Sequence, residues 1–178
     1  PVSAAAVTST AGTTTNSTHT TSTTKTPSTG TGVSGILSVF AAIGQALAQR
    51  YAQAGWRVAL VARRAADLID WAQAQGWTAE RCQVYGADVR VMDEIIGAAQ
   101  ACLARQGVPD VVIANAGISI GMDSAERADL DVMARTFATN NLGLAATFHP
   151  FIEPMRQRGS GALVGIASVA AIRGLPGH

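Results

Sequence analysis

From residue 36 onward, short apolar runs alternate with amphipathic stretches of helical length, and this alternation most narrows the folds open to the chain. The run Val111-Val112-Ile113 is apolar at consecutive positions, so a strand built from it is covered on both faces, as in a buried parallel sheet. "WRVALVA", "CQVYGADV", "PDVVIANAG" and "GALVGIAS" read as strands, the last as another buried one. Between them, "IGQALAQRYAQAG" sets Ile43, Leu47, Tyr51 and Ala54 on one helical face, with Gly55 as a stop. "RAADLIDWAQAQG" is helical and also ends at glycine. "MDEIIGAAQACLARQG" sets Met92, Ile95, Ile96, Ala99 and Leu103 together. A longer stretch spaces Leu130, Met133, Phe137, Leu144, Phe148 and Ile152 helically, and Pro150 and Pro154 are expected to kink or end it. Strands alternating with such helices make βαβ units, so the fold class is α/β, a doubly wound parallel sheet. Sheets of this kind bind ligands at the carboxyl ends of their strands, near the switch point.

Residues 1 to 31 have a different composition. They are mostly Thr and Ser, with no large apolar residue after Val7, and are expected to form a disordered tail ahead of a domain over 32–178. The tail lacks the apolar stretch of a secretory signal and the arginines of a transit peptide. Asn16-Ser17-Thr18 matches a glycosylation acceptor, a chance match in so Ser/Thr-rich a stretch. A net charge of +1 argues against binding nucleic acid through its phosphates. No run of 18 apolar residues occurs, so no membrane span is expected. Cys82 and Cys102 lack metal-ligand spacing and read as reduced thiols of a cytoplasmic protein, with no metal site. The 13 basic residues include one lysine, Lys25, in the tail.

The strand ends carry the candidate site. A dinucleotide pyrophosphate needs a glycine-rich turn after the first strand. Before the first helix stands "LSVFAAIGQALAQRY", in which Gly44 is the lone glycine; upstream, "TGTGVSGI" is glycine-rich. A linker entering a helix explains these residues equally well. The second strand ends in Ala62-Arg63-Arg64, with no acidic residue for a ribose 2′-hydroxyl and an arginine for a 2′-phosphate, which favours NADP over NAD. The plain alternative is a solvated basic turn. At the third strand end, Asp88 can accept from an adenine amino group and Val89 can pack on the ring, although a lone Asp there commonly caps a helix. At the fourth, Asn115 carries donors and acceptors to bridge strand ends, and Ala116 and Gly117 leave room for a flat ligand.

Taken in order, "ADV", "ANAG", "TNNLG" and "GIASVAAIRGLPG" resemble the short-chain dehydrogenase/reductase family over roughly residues 43 to 178. The resemblance implies a Rossmann-type sheet, an NADP cofactor, and hydride transfer between a small-molecule carbonyl and its alcohol. It assigns Ile43 and Gly44 to the phosphate turn, Arg63 to the 2′-phosphate, Asp88 and Val89 to the adenine, and Asn115, Ala116 and Gly117 to the Asn-Ala-Gly turn. Asn140, with Gly143, matches the helical asparagine that holds a water in the proton relay. Ser168 matches the serine that hydrogen-bonds the substrate carbonyl. The family's oligomers imply a homo-oligomeric parent.

The chain departs from the family in two places. The family's Thr-Gly-x-x-x-Gly-x-Gly turn aligns with Leu37 to Gly44, where only Ile43 and Gly44 fit; Thr31-Gly32 and Gly35-Ile36 are the other possible start. The family's catalytic Tyr and Lys, counted on from Ser168, fall beyond His178, while the tyrosines present are Tyr51 and Tyr85. A phenol with an unperturbed pKa near 10 needs a neighbouring cation to act at neutral pH, and a positioned general acid contributes about 10²–10⁴ in rate. Ser168 and Asn140 can orient a carbonyl and a water but cannot supply that proton. The chain is thus expected to be a C-terminally truncated, inactive fragment of an oxidoreductase, its last strand left as an exposed apolar edge. The alternatives are a non-catalytic nucleotide-binding or scaffold module, or a domain for another phosphate ligand such as a flavin.

Overall fold

The computed structural model describes residues 4–9, 33–38 and 42–168, with side chains described from Ile43 onward. Its elements are β1 (Ala4–Ser9), β2 (Val33–Ser38), α1 (Ala42–Gln53), β3 (Arg57–Ala62), α2 (Ala65–Ala74), β4 (Cys82–Gly86), α3 (Met92–Gln106), β5 (Val111–Ala114), α4 (Asp129–Phe137), a π-turn (Ala138–Leu142), α5 (Gly143–Arg158) and β6 (Ala162–Gly165). The tail composition gave no reason to expect β1. The expected stops at Gly55 and Gly76 sit at φ +89° and +72°, a region that glycine enters without a steric penalty.

The strand pairs are all parallel. From β3 the sheet extends outward to β4, and on the other side of a central slot it continues through β5 to β6. The chain therefore fills one half of the sheet, then crosses the slot to fill the other, and the slot's border with β5 is the switch point. Both β1 and β2 are registered in that slot. Val7 and Leu37 each lie opposite Leu60 of β3 and Ile113 of β5. Only β2 leads directly into α1, as a βα unit requires.

The apolar runs are covered on both faces, as their composition demands. Along β3, Val58, Leu60 and Ala62 pack with Ala48 of α1 and Leu68 and Ala72 of α2. Ala59 and Val61 point the other way, into a core formed by Ile95, Ala98, Ala99 and Cys102 of α3 and Phe151 and Met155 of α5. Both thiols are buried and unpaired by disulfide, and burial pushes each up to about 12.

Several helix faces differ from the apolar pattern. In α1, Ile43 is exposed, and Ala54 just past its end lies on the surface, because Ala48, flanked by Leu47 and Tyr51, faces the sheet. In α3, Met92 is exposed and the buried stripe runs through Ile95, Ala99, Cys102 and Gln106. The α4–α5 stretch differs most. Leu130, Phe137 and Ile152 are exposed, while Thr139, Gly143, Ala146, Thr147, Phe151 and Met155 are buried. Small side chains let this helix come close to the sheet, whereas bulky ones would hold it away. Pro150 and Pro154 neither end nor divide α5. Each removes one backbone hydrogen bond, at roughly 3 kcal/mol in a helix interior. Burial of Phe151 and Met155 offsets this by about 1.5–3 kcal/mol apiece.

The end of α5 is clasped to the start of β5. Arg158 donates to the carbonyls of Val108 and Pro109, both at 2.7 Å, and pairs with Asp110 at 3.1 Å. Strand β6 is not buried as its apolar sequence suggests: all four of its residues are exposed, since among the described residues it pairs with β5 alone.

Candidate active site at the carboxyl edge of the sheet

Parallel pairing brings the strand ends to one edge. Ala62 of β3 lies opposite Gly86 of β4, and the Ala87 N–H donates to the Ala62 carbonyl at 3.1 Å. Ala114 of β5 lies opposite Gly165 of β6, and the Ile166 N–H continues that pairing to the Ala114 carbonyl at 2.9 Å. Arg63, Asp88, Asn115 and Ser168, distant in sequence, thus follow four strands that end side by side.

Arg63 is exposed, and its charge contributes to holding the Asp88 carboxyl ionised. Arg64 instead pairs with Asp67 at 3.0 Å in the first turn of α2. Asn115 and Ala116 are buried against the switch point, and Gly117 is exposed. Ser168 stands exposed just past β6. Ile43 is exposed and Gly44 buried in the first turn of α1. Residues 39–41 of the candidate phosphate turn, Thr31-Gly32 and 169–178 lie outside the described residues.

Asp88 is not a helix cap. The N-cap of α3 is Val91, with no side-chain capping bond. The Asp88 carboxylate instead accepts from three N–H groups of Arg90, that of Nε shared between its two oxygens. Oδ1 accepts from the Arg90 backbone N–H and from Nε, both at 3.0 Å; Oδ2 accepts from Nε at 3.1 Å and from Nη2 at 2.6 Å. The Arg90 guanidinium is the main cause that holds this carboxyl below the usual carboxylate range. The Asp88 N–H donates to Glu94 Oε2 at 2.8 Å, tying the strand end to the first turn of α3. Val89, expected to pack on an adenine ring, is 2% exposed and lies in the core beneath α5.

Asn140 sits on the π-turn, a distortion that recurs at functional sites. Its side chain clamps the loop after β5: Oδ1 accepts from the Ile118 N–H and Nδ2 donates to the Ile118 carbonyl, both at 2.8 Å. The expected water-holding asparagine is therefore engaged, through its side chain, with the loop that follows Asn-Ala-Gly. Gly143, on the next turn, permits the contact with Val89. A Cβ there would stand 3.0 Å from Val89 Cβ, Cγ2 and O.

Neither described tyrosine is placed to act at this edge as an acid. Tyr51 stacks edge-on against Trp56, with ring centroids 5.2 Å apart, and burial raises its pKa. The Tyr85 hydroxyl is buried, and burial is the main cause that pushes it up to about 12. Residues that the sequence pattern did not single out are Arg90 and Glu94. The only signal for them was a charged residue close behind Asp88.

A parallel sheet in this order, with polar residues gathered at its switch-point edge, is a doubly wound Rossmann-type domain. Residues 36–178 match the family model for short chain dehydrogenase, and the chain belongs to that family. It is 37% identical over 139 residues to an uncharacterized oxidoreductase of Myxococcus xanthus (strain DK1622), covering 76% of this chain and 53% of that protein. Among solved structures, it resembles an actinorhodin polyketide ketoreductase with NADPH (28% identity, TM-score 0.68, covering 76% of this chain and 52% of the other). It also resembles an alcohol dehydrogenase from the archaeon Thermococcus sibiricus complexed with 5-hydroxy-NADP (27% identity, TM-score 0.67, covering 76% and 57%). The chain spans about half the length of these relatives.

Proposed function

We propose that residues 32–178 form the NADP(H)-binding part of an oxidoreductase that interconverts a small-molecule carbonyl and its alcohol. The observation that carries this reading is the end of β3, where Ala62 is followed by the exposed Arg63 and no carboxylate. Solved relatives that hold NADPH or an NADP derivative support it. A ribose 2′-phosphate suits a guanidinium, whereas a free 2′-hydroxyl is normally held by an acidic residue at this point. Arg63 would hold the 2′-phosphate, and Ile43 and Gly44 would border the pyrophosphate at the start of α1. Asn115, Ala116 and Gly117 would border the nicotinamide half. The bound nicotinamide would supply the hydride.

In this reading Ser168 donates to the substrate carbonyl and fixes its orientation. Asn140 holds the Ile118 loop against the helix and so shapes the floor of the site. Among the described residues neither tyrosine is suited to give the nascent alkoxide its proton: Tyr51 and Tyr85 are shifted upward by burial, and the single lysine of the sequence is Lys25. We therefore expect the 178-residue chain to bind cofactor without turnover, which also fits a nucleotide-binding module. A cytoplasmic setting suits its two unoxidised thiols, and exposed Phe137, Leu142 and Ile152 suit a homo-oligomeric parent. No helix among the described residues is long and apolar enough to cross a membrane.

Fluorescence titration with NADPH and NADH tests the cofactor assignment. NADPH should bind more tightly, and Arg63→Ala should weaken NADPH by about 10–100-fold while leaving NADH unchanged, the loss of a charge-assisted contact. Equal affinities for the two cofactors in the unmodified chain would refute it.

A further inference from the structure

Ser168 is placed by the strand that precedes it, and β6 has little of its own to fix where it lies along β5. Register is chosen by the side chains that a slip would bury or expose. None of the four residues of β6 is buried, and among the described residues the strand pairs with β5 alone. A two-residue slip keeps each side chain on its face and allows the same backbone ladder. It also carries Ser168 about 6–7 Å along the strand, more than the roughly 3 Å reach of a hydrogen bond. The tightest side-chain fit in β6 is that of Gly165, where a Cβ would stand 3.0 Å from Leu144 Cδ1. That atom is the far end of a flexible side chain and can turn aside.

The chain ahead of β6 is held more firmly. Gly159, Ser160 and Gly161 turn from α5 into β6, with φ +73° at Gly159 and +150° at Gly161. A Cβ on Gly161 would stand 2.5 Å from Met155 Sδ, so the turn is fitted closely to its own helix. Arg158 ties that turn to β5. Nε and Nη2 donate to the Ser160 carbonyl at 3.1 and 2.9 Å. Nη1 donates to the Val108 carbonyl and Nη2 to the Pro109 carbonyl, both at 2.7 Å, and Nη1 pairs with Asp110 Oδ1 at 3.1 Å. A planar guanidinium, with donors in a fixed fork, suits such a bridge. One side chain thus holds the segment entering β5 and the segment entering β6. Just beyond it, the Ala162 N–H donates to the Asp110 carbonyl at 2.7 Å and starts the ladder.

We infer that Arg158 is a positioning residue for Ser168: by bridging the entries of β5 and β6 it selects the register of β6, and so fixes how far along the sheet edge the serine stands. What the serine does there rests on the oxidoreductase reading above; where it stands does not.

Disulfide trapping in the full chain reads the register directly. Val111→Cys with Ala162→Cys joins residues that lie opposite each other in the present register. Val111→Cys with Val164→Cys joins those that would lie opposite after a two-residue slip. Neighbouring strands about 4.8 Å apart suit a disulfide, whereas the second pair is now beyond the roughly 7 Å limit. Each pair is oxidised in glutathione buffer and the links are mapped by mass spectrometry; the native Cys82 and Cys102 are buried. With Arg158 present, the 111–162 link should form about 30-fold faster or more than the 111–164 link. In Arg158→Ala that ratio should fall about tenfold, the scale of losing a charge-assisted contact. Arg158→Lys offers one compact ammonium in place of the fork and should give an intermediate ratio. A purely structural role would lower stability without moving the link from one partner to the other. A ratio unchanged in Arg158→Ala would overturn the inference, as would a ratio near one in the unmodified chain. If Arg158→Ala fails to fold, Arg158→Lys carries the comparison. Loss of folding in both would overturn the inference too, since Arg158 would then hold the whole domain and not one strand's register. No dinucleotide enters this assay, so a chain that fails to bind NADPH would sink the cofactor reading and leave the register result standing.

Discussion

Asn140 is the residue whose geometry and chemistry are most tightly joined. Its amide makes one bond as acceptor and one as donor to the same residue, so both halves of the side chain have a task. Asn140→Ala is expected to cost about 1–3 kcal/mol in denaturant unfolding, since it leaves two part-buried groups of Ile118 without partners. Asn140→Asp should cost at least as much. It keeps an acceptor for the Ile118 N–H but sets a second acceptor against the Ile118 carbonyl. An aspartate variant as stable as the native chain would mean that the amide is not oriented as described. The pattern Asn-x-x-Gly was legible in the sequence as a landmark, but the clamp was not, because its partner lies 22 residues away on a loop with no periodicity.

At the scale of elements, the contact of α5 with the strand end depends on Gly143. Gly143→Ala should destabilise by about 1–3 kcal/mol, because three atoms of Val89, one of them backbone, stand 3.0 Å from the added carbon. It should also weaken NADPH binding, since Val89 adjoins Asp88. Gly97→Ala in α3 is the control. Nothing lies within 4 Å of its new carbon, and the exchange should gain up to about 1 kcal/mol from helix propensity. Equal unfolding midpoints for the two variants would sink this account. The buried face of α5 was hidden in the sequence because pattern reading weights large apolar residues, and this helix meets the sheet through small ones. The prolines misled for a related reason: local backbone cost was visible, while the burial of Phe151 and Met155 that offsets it was not.

For the molecule as a whole, the exposed apolar residues of β6 are the feature with a measurable consequence. Among the described residues β6 pairs with β5 alone and exposes Leu163 and Val164, with Ile166 just beyond, and an apolar edge with a partner on one side only recruits other strands. Val164→Lys is expected to reduce self-association in sedimentation velocity, with the folded signal in circular dichroism retained. A chain that is monomeric without the substitution would argue against association through this edge. By itself the sequence determined the alternation of strands and helices, the parallel sheet and which residues end its strands. Those follow from local apolar pattern and from the rule that βαβ units put strand ends on one edge. Tertiary structure alone decided that Arg90 pairs with Asp88, that Val89 turns inward, and that Asn140 holds Ile118. Each of those depends on which groups are brought within hydrogen-bonding or packing distance, and that distance is set by the assembled sheet and not by any run of neighbouring residues.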